Sequence, residues 1–161
     1  MKGIILIAIL SGMFVLEIYS QQTDSDFGAK LIISANTNRW SPTSTLTVFF
    51  QITNCSTNIS YAVDDIPTLN YSIYLRDNGR SYTPSLAGLG DFGNRFYHPS
   101  YWMIGPKKTY SWSLVMKIGT NVPPGDYELG ATRSIAISAP NPTNQSNVKL
   151  VSNLLSIQVR Q

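Results

Sequence analysis

The chain has 161 residues, one cysteine, and a net charge of +3 from 12 basic and 9 acidic side chains. A single thiol cannot form an internal disulfide, so the fold must rest on its core, and a chain of this length can bury one. Only Lys107 and Lys108 are adjacent among the basic residues. That dispersal argues against a nucleic-acid surface, which needs basic side chains gathered on one face.

Lys2 is followed by an apolar run from Gly3 to Leu16 and then by the more polar Glu17 to Gln21. A short basic start, a hydrophobic stretch and a small residue near the cut describe a secretory signal. Glu17 ends the run short of the about 20 apolar residues a membrane span needs. Residues 1–20 are therefore expected to be a cleaved leader and residues 21–161 a single domain. That domain is expected to be secreted or extracytoplasmic, with no stable membrane span after cleavage.

Beyond the leader, alternation with period two dominates, the mark of half-buried strands. Leu46, Val48, Phe50 and Ile52 share one face of a strand opened by Trp40-Ser41-Pro42. Tyr71, Ile73 and Leu75 share the next, and Asp77-Asn78-Gly79 supplies a tight reversal after Arg76. Tyr110, Trp112, Leu114 and Met116 form a third apolar face. Pro123-Pro124-Gly125-Asp126 bends the chain before Tyr127, Leu129 and Ala131, and Leu155, Ile157 and Val159 close the series. Weaker strands are expected at Lys30 to Ser34, Ile59 to Val63 and Ile135 to Ser138. Ala139 to Asn147, with two prolines, reads as an exposed connection, and Ala87 to Pro106 as a glycine-spaced aromatic segment. No stretch longer than about ten residues after the leader shows helical periodicity, so helix content is expected to be low. The expectation is an all-β, immunoglobulin-like two-sheet antiparallel sandwich of about seven or eight strands, with a small closed barrel as the alternative. Cys55, among small polar residues at a strand end, is expected to be buried or half-buried.

Catalytic chemistry finds little footing. His98 is the sole histidine, and no serine sits in a Gly-x-Ser-x-Gly elbow. One His and one Cys cannot cage zinc, and no loop has calcium-binding spacing. No enzyme, metal or cofactor is expected. Sequons occur at Asn54, Asn58, Asn70 and Asn144. In a glycosylating host Asn144, in the polar loop, is the expected acceptor. The one local constellation is Phe92, Phe96, Tyr97, Tyr101 and Trp102, with Arg95 among them. Such aromatics either plug one end of the sandwich or offer a binding surface, since Tyr and Trp combine large area with a polar tip.

Phe50-Gln51-Ile52-Thr53-Asn54 with Ser56, Tyr71 to Asp77 with Gly79, and Pro124-Gly125-Asp126-Tyr127 together resemble bacterial Ig-like domains of the Bacillus intracellular proteinase inhibitor type. The likeness spans roughly Leu31 to Ala131, and more loosely touches macroglobulin-type sandwich modules. It implies the sandwich fold and, as one function, proteinase inhibition. The expected function is a secreted, non-enzymatic module that recognises a protein partner through Arg95, Phe96, Tyr97, Tyr101 and Trp102. The alternatives are a polysaccharide partner held on a platform of Tyr97, Tyr101 and Trp102, and a proteinase inhibitor.

Overall fold

The computed structural model describes residues 28–64, 71–87, 101–138 and 147–161. All regular structure in them is β. The strands are β1 (Ala29–Ala35), β2 (Arg39–Trp40), β3 (Leu46–Asn54), β4 (Ser60–Asp64), β5 (Tyr71–Asp77) and β6 (Arg80–Tyr82). They continue as β7 (Ser85–Leu86), β8 (Tyr101–Ile104), β9 (Thr109–Lys117), β10 (Gly125–Ser138), β11 (Asn147–Val151) and β12 (Leu155–Val159). Eight of these have five or more residues, matching the seven or eight expected; the other four are short additions at sheet margins.

The smaller sheet has the order β1-β3-β9-β7. The larger runs β2-β12-β10-β4-β8, with β11, β5 and β6 attached beside β10. The long β10 organises it. Leu129 pairs with both Leu155 and Leu75, and Ala136 with both Asn147 and Ala62. One edge of β10 therefore carries β12 and then β11, and the other carries β5 and then β4. All pairings are antiparallel except β12 with β2.

Alternation dictates what the sheets enclose. Leu31, Ile33, Val48, Phe50 and Ile52 from the smaller sheet meet Tyr61, Val63, Leu75, Leu129, Ile135, Leu150 and Ile157 from the larger, all buried. Burying one such side chain contributes about 1.5–3 kcal/mol, so this layer is what holds the sheets together. The strand expected at Ile135 to Ser138 is the continuation of β10. Arg133 occupies an inward position there, 3% exposed, and so interrupts an otherwise unbroken apolar face. Its guanidinium lies 5.0 Å from the ring centre of Trp112, a cation–π contact inside the sandwich.

The β5–β6 reversal is the tight turn expected. Asn78 (φ 39°) and Gly79 (φ 84°) both take positive φ, the signature of a type I′ hairpin. Gly130 has a different reason for lacking a side chain. A Cβ there would come within 2.5 Å of the Tyr74 hydroxyl, whose ring lies across it. At the start of β10 the Tyr127 hydroxyl donates to the Pro123 carbonyl at 2.8 Å. That is the tyrosine-corner arrangement of immunoglobulin-like sandwiches. Burial pushes the Tyr127 pKa above its ordinary value, with Tyr82 and Asp77 adding to the rise and Arg80 opposing it.

Cys55 corrects an expectation: its side chain is exposed. The phase of β3 explains this. Leu46, Val48, Phe50, Ile52 and then Asn54 point inward, so the next residue cannot.

Candidate functional site

Strand β8 ends the larger sheet. It pairs only with β4, in the register Tyr61–Ile104, Ala62–Met103, Val63–Trp102 and Asp64–Tyr101. Its far side has no strand partner among the described residues. Tyr101, Trp102 and Met103 are 62%, 55% and 55% exposed, three consecutive large side chains in the open. Edge strands in soluble proteins usually carry charges or proline to discourage pairing with another chain. Tyr-Trp-Met-Ile carries neither.

Successive residues of a strand face opposite ways. Ile104 is buried, and Trp102, in the same phase, leans toward the smaller sheet, its ring 6.1 Å from that of Tyr110. From there the stack continues inward. Tyr110 and Trp112 are 5.4 Å apart, and Trp112 lies 5.0 Å from Phe50, its cross-strand neighbour, at an interplanar angle of 12°. Each such contact contributes about 0.5–1.5 kcal/mol beyond area burial. Trp102 is thus the surface end of an aromatic column rooted in the core. Tyr101 and Met103 lie on the other face of β8, beside Ala62.

One buried side chain pins this edge. Asn54 donates from Nδ2 to the Ile59 carbonyl (2.7 Å) and to the Ile104 carbonyl (2.9 Å). Its Oδ1 accepts from Ser56 N (2.9 Å) and Ser56 Oγ (2.6 Å), and its backbone N–H donates to the Lys108 carbonyl. The end of β3, the start of β4 and the end of β8 therefore meet on one amide. Lys107, at φ 58° in the β8–β9 turn, closes the arrangement by donating from Nζ to the Cys55 carbonyl. Beside it, burial first and the neighbouring Cys55 second push the Tyr61 pKa up.

Of the residues singled out in the sequence, Tyr101 and Trp102 stand together on this edge. Arg95, Phe96, Tyr97, Phe92, His98 and Asn144 lie outside the described residues. Met103 and Tyr110 belong to the surface as well. Tyr110 was within reach of the sequence, on the apolar face it shares with Trp112, Leu114 and Met116, whereas Met103 was not, since Tyr101 to Ile104 shows no alternation. Tyr101 and Trp102 face opposite sides, so the two together do not make a flat platform. Among the described residues no cluster of metal-ligating side chains occurs, and no helix is long and apolar enough to cross a membrane.

The two antiparallel sheets and the tyrosine corner define an immunoglobulin-like β-sandwich. No family model matches the chain, and no curated protein matches its sequence. Similar solved structures include the CARDB domain of the PF1109 protein from Pyrococcus furiosus, in complex with di-metal ions. It is 12% identical with a TM-score of 0.42, covering 82% of this chain and 87% of that one. PapD-like domain 7 of human CEP192 is 11% identical with a TM-score of 0.37, covering 94% and 99%. AvmM, which catalyses macrocyclization in alchivemycin A biosynthesis, is 8% identical with a TM-score of 0.44, covering 84% and 90%. At such identities the likeness concerns architecture, and one architecture hosts many functions.

Proposed function

We propose that this domain is a secreted, non-enzymatic interaction module that takes an extended segment of a partner protein along β8. The observation that carries the reading is the combination on one strand of a backbone edge without a strand partner among the described residues and exposed Tyr101, Trp102 and Met103. Added strands gain affinity from main-chain hydrogen bonds and specificity from alternate side chains on the two faces. Trp102, exposed but with its ring stacked on Tyr110, is the rigid anchor; Tyr101 and Met103 offer adaptable apolar area on the opposite face.

The test compares affinity co-purification from the native extracellular fraction using wild type and a Tyr101→Ala/Trp102→Ala variant. A protein recovered with wild type and lost with the variant is the expected result, provided the variant keeps its thermal midpoint. Equal recovery with both sinks the assignment to β8. Retention on an insoluble polysaccharide, lost in Trp102→Ala, would replace the protein partner by a sugar. The narrower possibility raised by the sequence resemblance, a proteinase as partner, predicts loss of protease activity at stoichiometric concentration.

A further inference from the structure

Two sequons lie four residues apart at the end of β3, Asn54-Cys55-Ser56 and Asn58-Ile59-Ser60, and the fold treats them oppositely. We infer that Asn58 is an N-glycosylation site and that Asn54 is closed to the modification; the inference rests on the reading that the chain enters a secretory compartment.

N-glycosylation forms a bond from the asparagine Nδ2 to the anomeric carbon of an oligosaccharide carried on a lipid pyrophosphate. The bond from that carbon to the pyrophosphate breaks, the lipid pyrophosphate leaves with its electron pair, and one amide proton is lost. The side chain keeps a single N–H and gains a bulky, hydrated substituent. At Asn54 neither change fits. Its residue is 0% exposed, and both Nδ2 hydrogens are engaged, one by the Ile59 carbonyl and one by the Ile104 carbonyl. Substitution would remove one of these bonds and force a sugar into the meeting point of β3, β4 and β8. A folded chain bearing a glycan on Asn54 is excluded on volume and hydrogen bonding alike.

Asn58 stands on the turn between β3 and β4 with its side chain exposed. No described residue hydrogen-bonds its amide. The turn beneath it is fixed without its help: Ser56 Oγ accepts from the Ile59 N–H (3.3 Å) and shares its one proton between the Ile59 carbonyl (2.8 Å) and Asn54 Oδ1 (2.6 Å). A glycan on Asn58 therefore projects into solvent and costs the fold no contact. The Asn54 and Asn58 sequons are alike in sequence, and only the direction of the side chain separates them.

The experiment expresses the full chain, with its own leader, in a eukaryotic cell line that performs N-glycosylation. Sequon occupancy is read by enzymatic deglycosylation in heavy water and peptide mass mapping, on both secreted and cell-retained material. Asn58 is expected to carry a glycan and Asn54 none in the secreted protein. Asn58→Gln and, independently, Ser60→Ala should each remove one glycan's mass from the intact protein. In a parallel arm residues 1–20 are exchanged for a leader of proven function. Occupancy of Asn58 in that arm only would mean that the native leader does not direct secretion, while the site assignment stands. Asn58 unoccupied with both leaders, or folded secreted protein glycosylated at Asn54, overturns the inference.

Discussion

The sandwich has an exposed edge at β1 in the smaller sheet and at β8 in the larger, and the two are handled differently. At β1 a side chain substitutes for a strand. Asn153 Oδ1 accepts from the Ile33 N–H at 2.8 Å, and its Nδ2 donates to the Ile33 carbonyl at 3.0 Å. One amide thus completes the backbone pairing that another strand would have offered, and ties the smaller sheet to the β11–β12 turn of the larger. At β8 the buried amide, Asn54, works from within. It fixes the end of the strand, and among the described residues the outer side of β8 has no strand partner. Both edges are anchored by an asparagine, but only β1 is capped. An edge that carries aromatic side chains and no charge or proline is the kind that pairs readily with another chain.

The comparison breaks most severely at Asn54. Asn54→Ala strands the Ile104 carbonyl and the Ser56 N–H, leaves the Ile59 carbonyl with Ser56 Oγ as its donor, and opens a small void. A loss of about 3 kcal/mol is expected, since each buried polar group left unpaired costs about 1–3 kcal/mol. Urea unfolding measures it. Loss below about 1 kcal/mol would mean that water replaces the amide at no penalty and that β8 is not pinned by it. Asn153→Ala comes next, at about 2 kcal/mol, because one N–H and one carbonyl on β1 lose their partner. It should also open β1 to pairing, so sedimentation is expected to become concentration-dependent where wild type is not.

How much of this was legible beforehand follows from distance along the chain. Strands β3, β5, β9, the first half of β10 and β12 announced themselves because period-two alternation is local. Strand β8 did not. Its exposed Tyr101, Trp102 and Met103 put apolar groups on both faces, so no alternation marks four residues of edge. Arg133 hid the unity of β10, since a cation in an inward slot reads as a strand end until Trp112 is seen beneath it. The two asparagine anchors are the least readable features. Their partners lie 50 and 120 residues away, a separation at which sequence pattern carries nothing. Cys55, by contrast, was within reach: continuing the β3 alternation through Asn54 turns the thiol outward.

Alkaline titration sharpens the contrast between the two sides of the larger sheet. Tyr61, on β4 opposite Ile104, and Tyr127, on β10 beside β12, both have pKa values raised in the folded state above the ordinary 10.0. A group whose folded pKa is raised contributes stability in full below its unfolded pKa and loses it as pH climbs through the folded one. Stability should hold up to about pH 10 and fall above it. Tyr127→Phe should lower stability at neutral pH by about 1 kcal/mol, through loss of the Pro123 hydrogen bond. The same variant should soften the alkaline decline, leaving the part due to Tyr61. A decline unchanged in both Tyr127→Phe and Tyr61→Phe would assign it to other groups.

The smallest effect on stability carries the most information about function. Met103→Lys places a charge at the centre of β8, on the face it shares with Tyr101 and away from the aromatic column. Met103 is 55% exposed, so its replacement removes little buried area, and a change within about 0.5 kcal/mol is expected. A lysine on an edge is also the device by which soluble sandwiches refuse an added strand. If β8 receives a partner's backbone, binding should fall at least tenfold although the fold is untouched, and Trp102→Ala should weaken it separately by removing the anchor. If β8 is merely an exposed edge, Met103→Lys will leave every interaction of the domain as it was. Stability and binding then separate cleanly: Asn54 governs the first, and Met103 reads only the second.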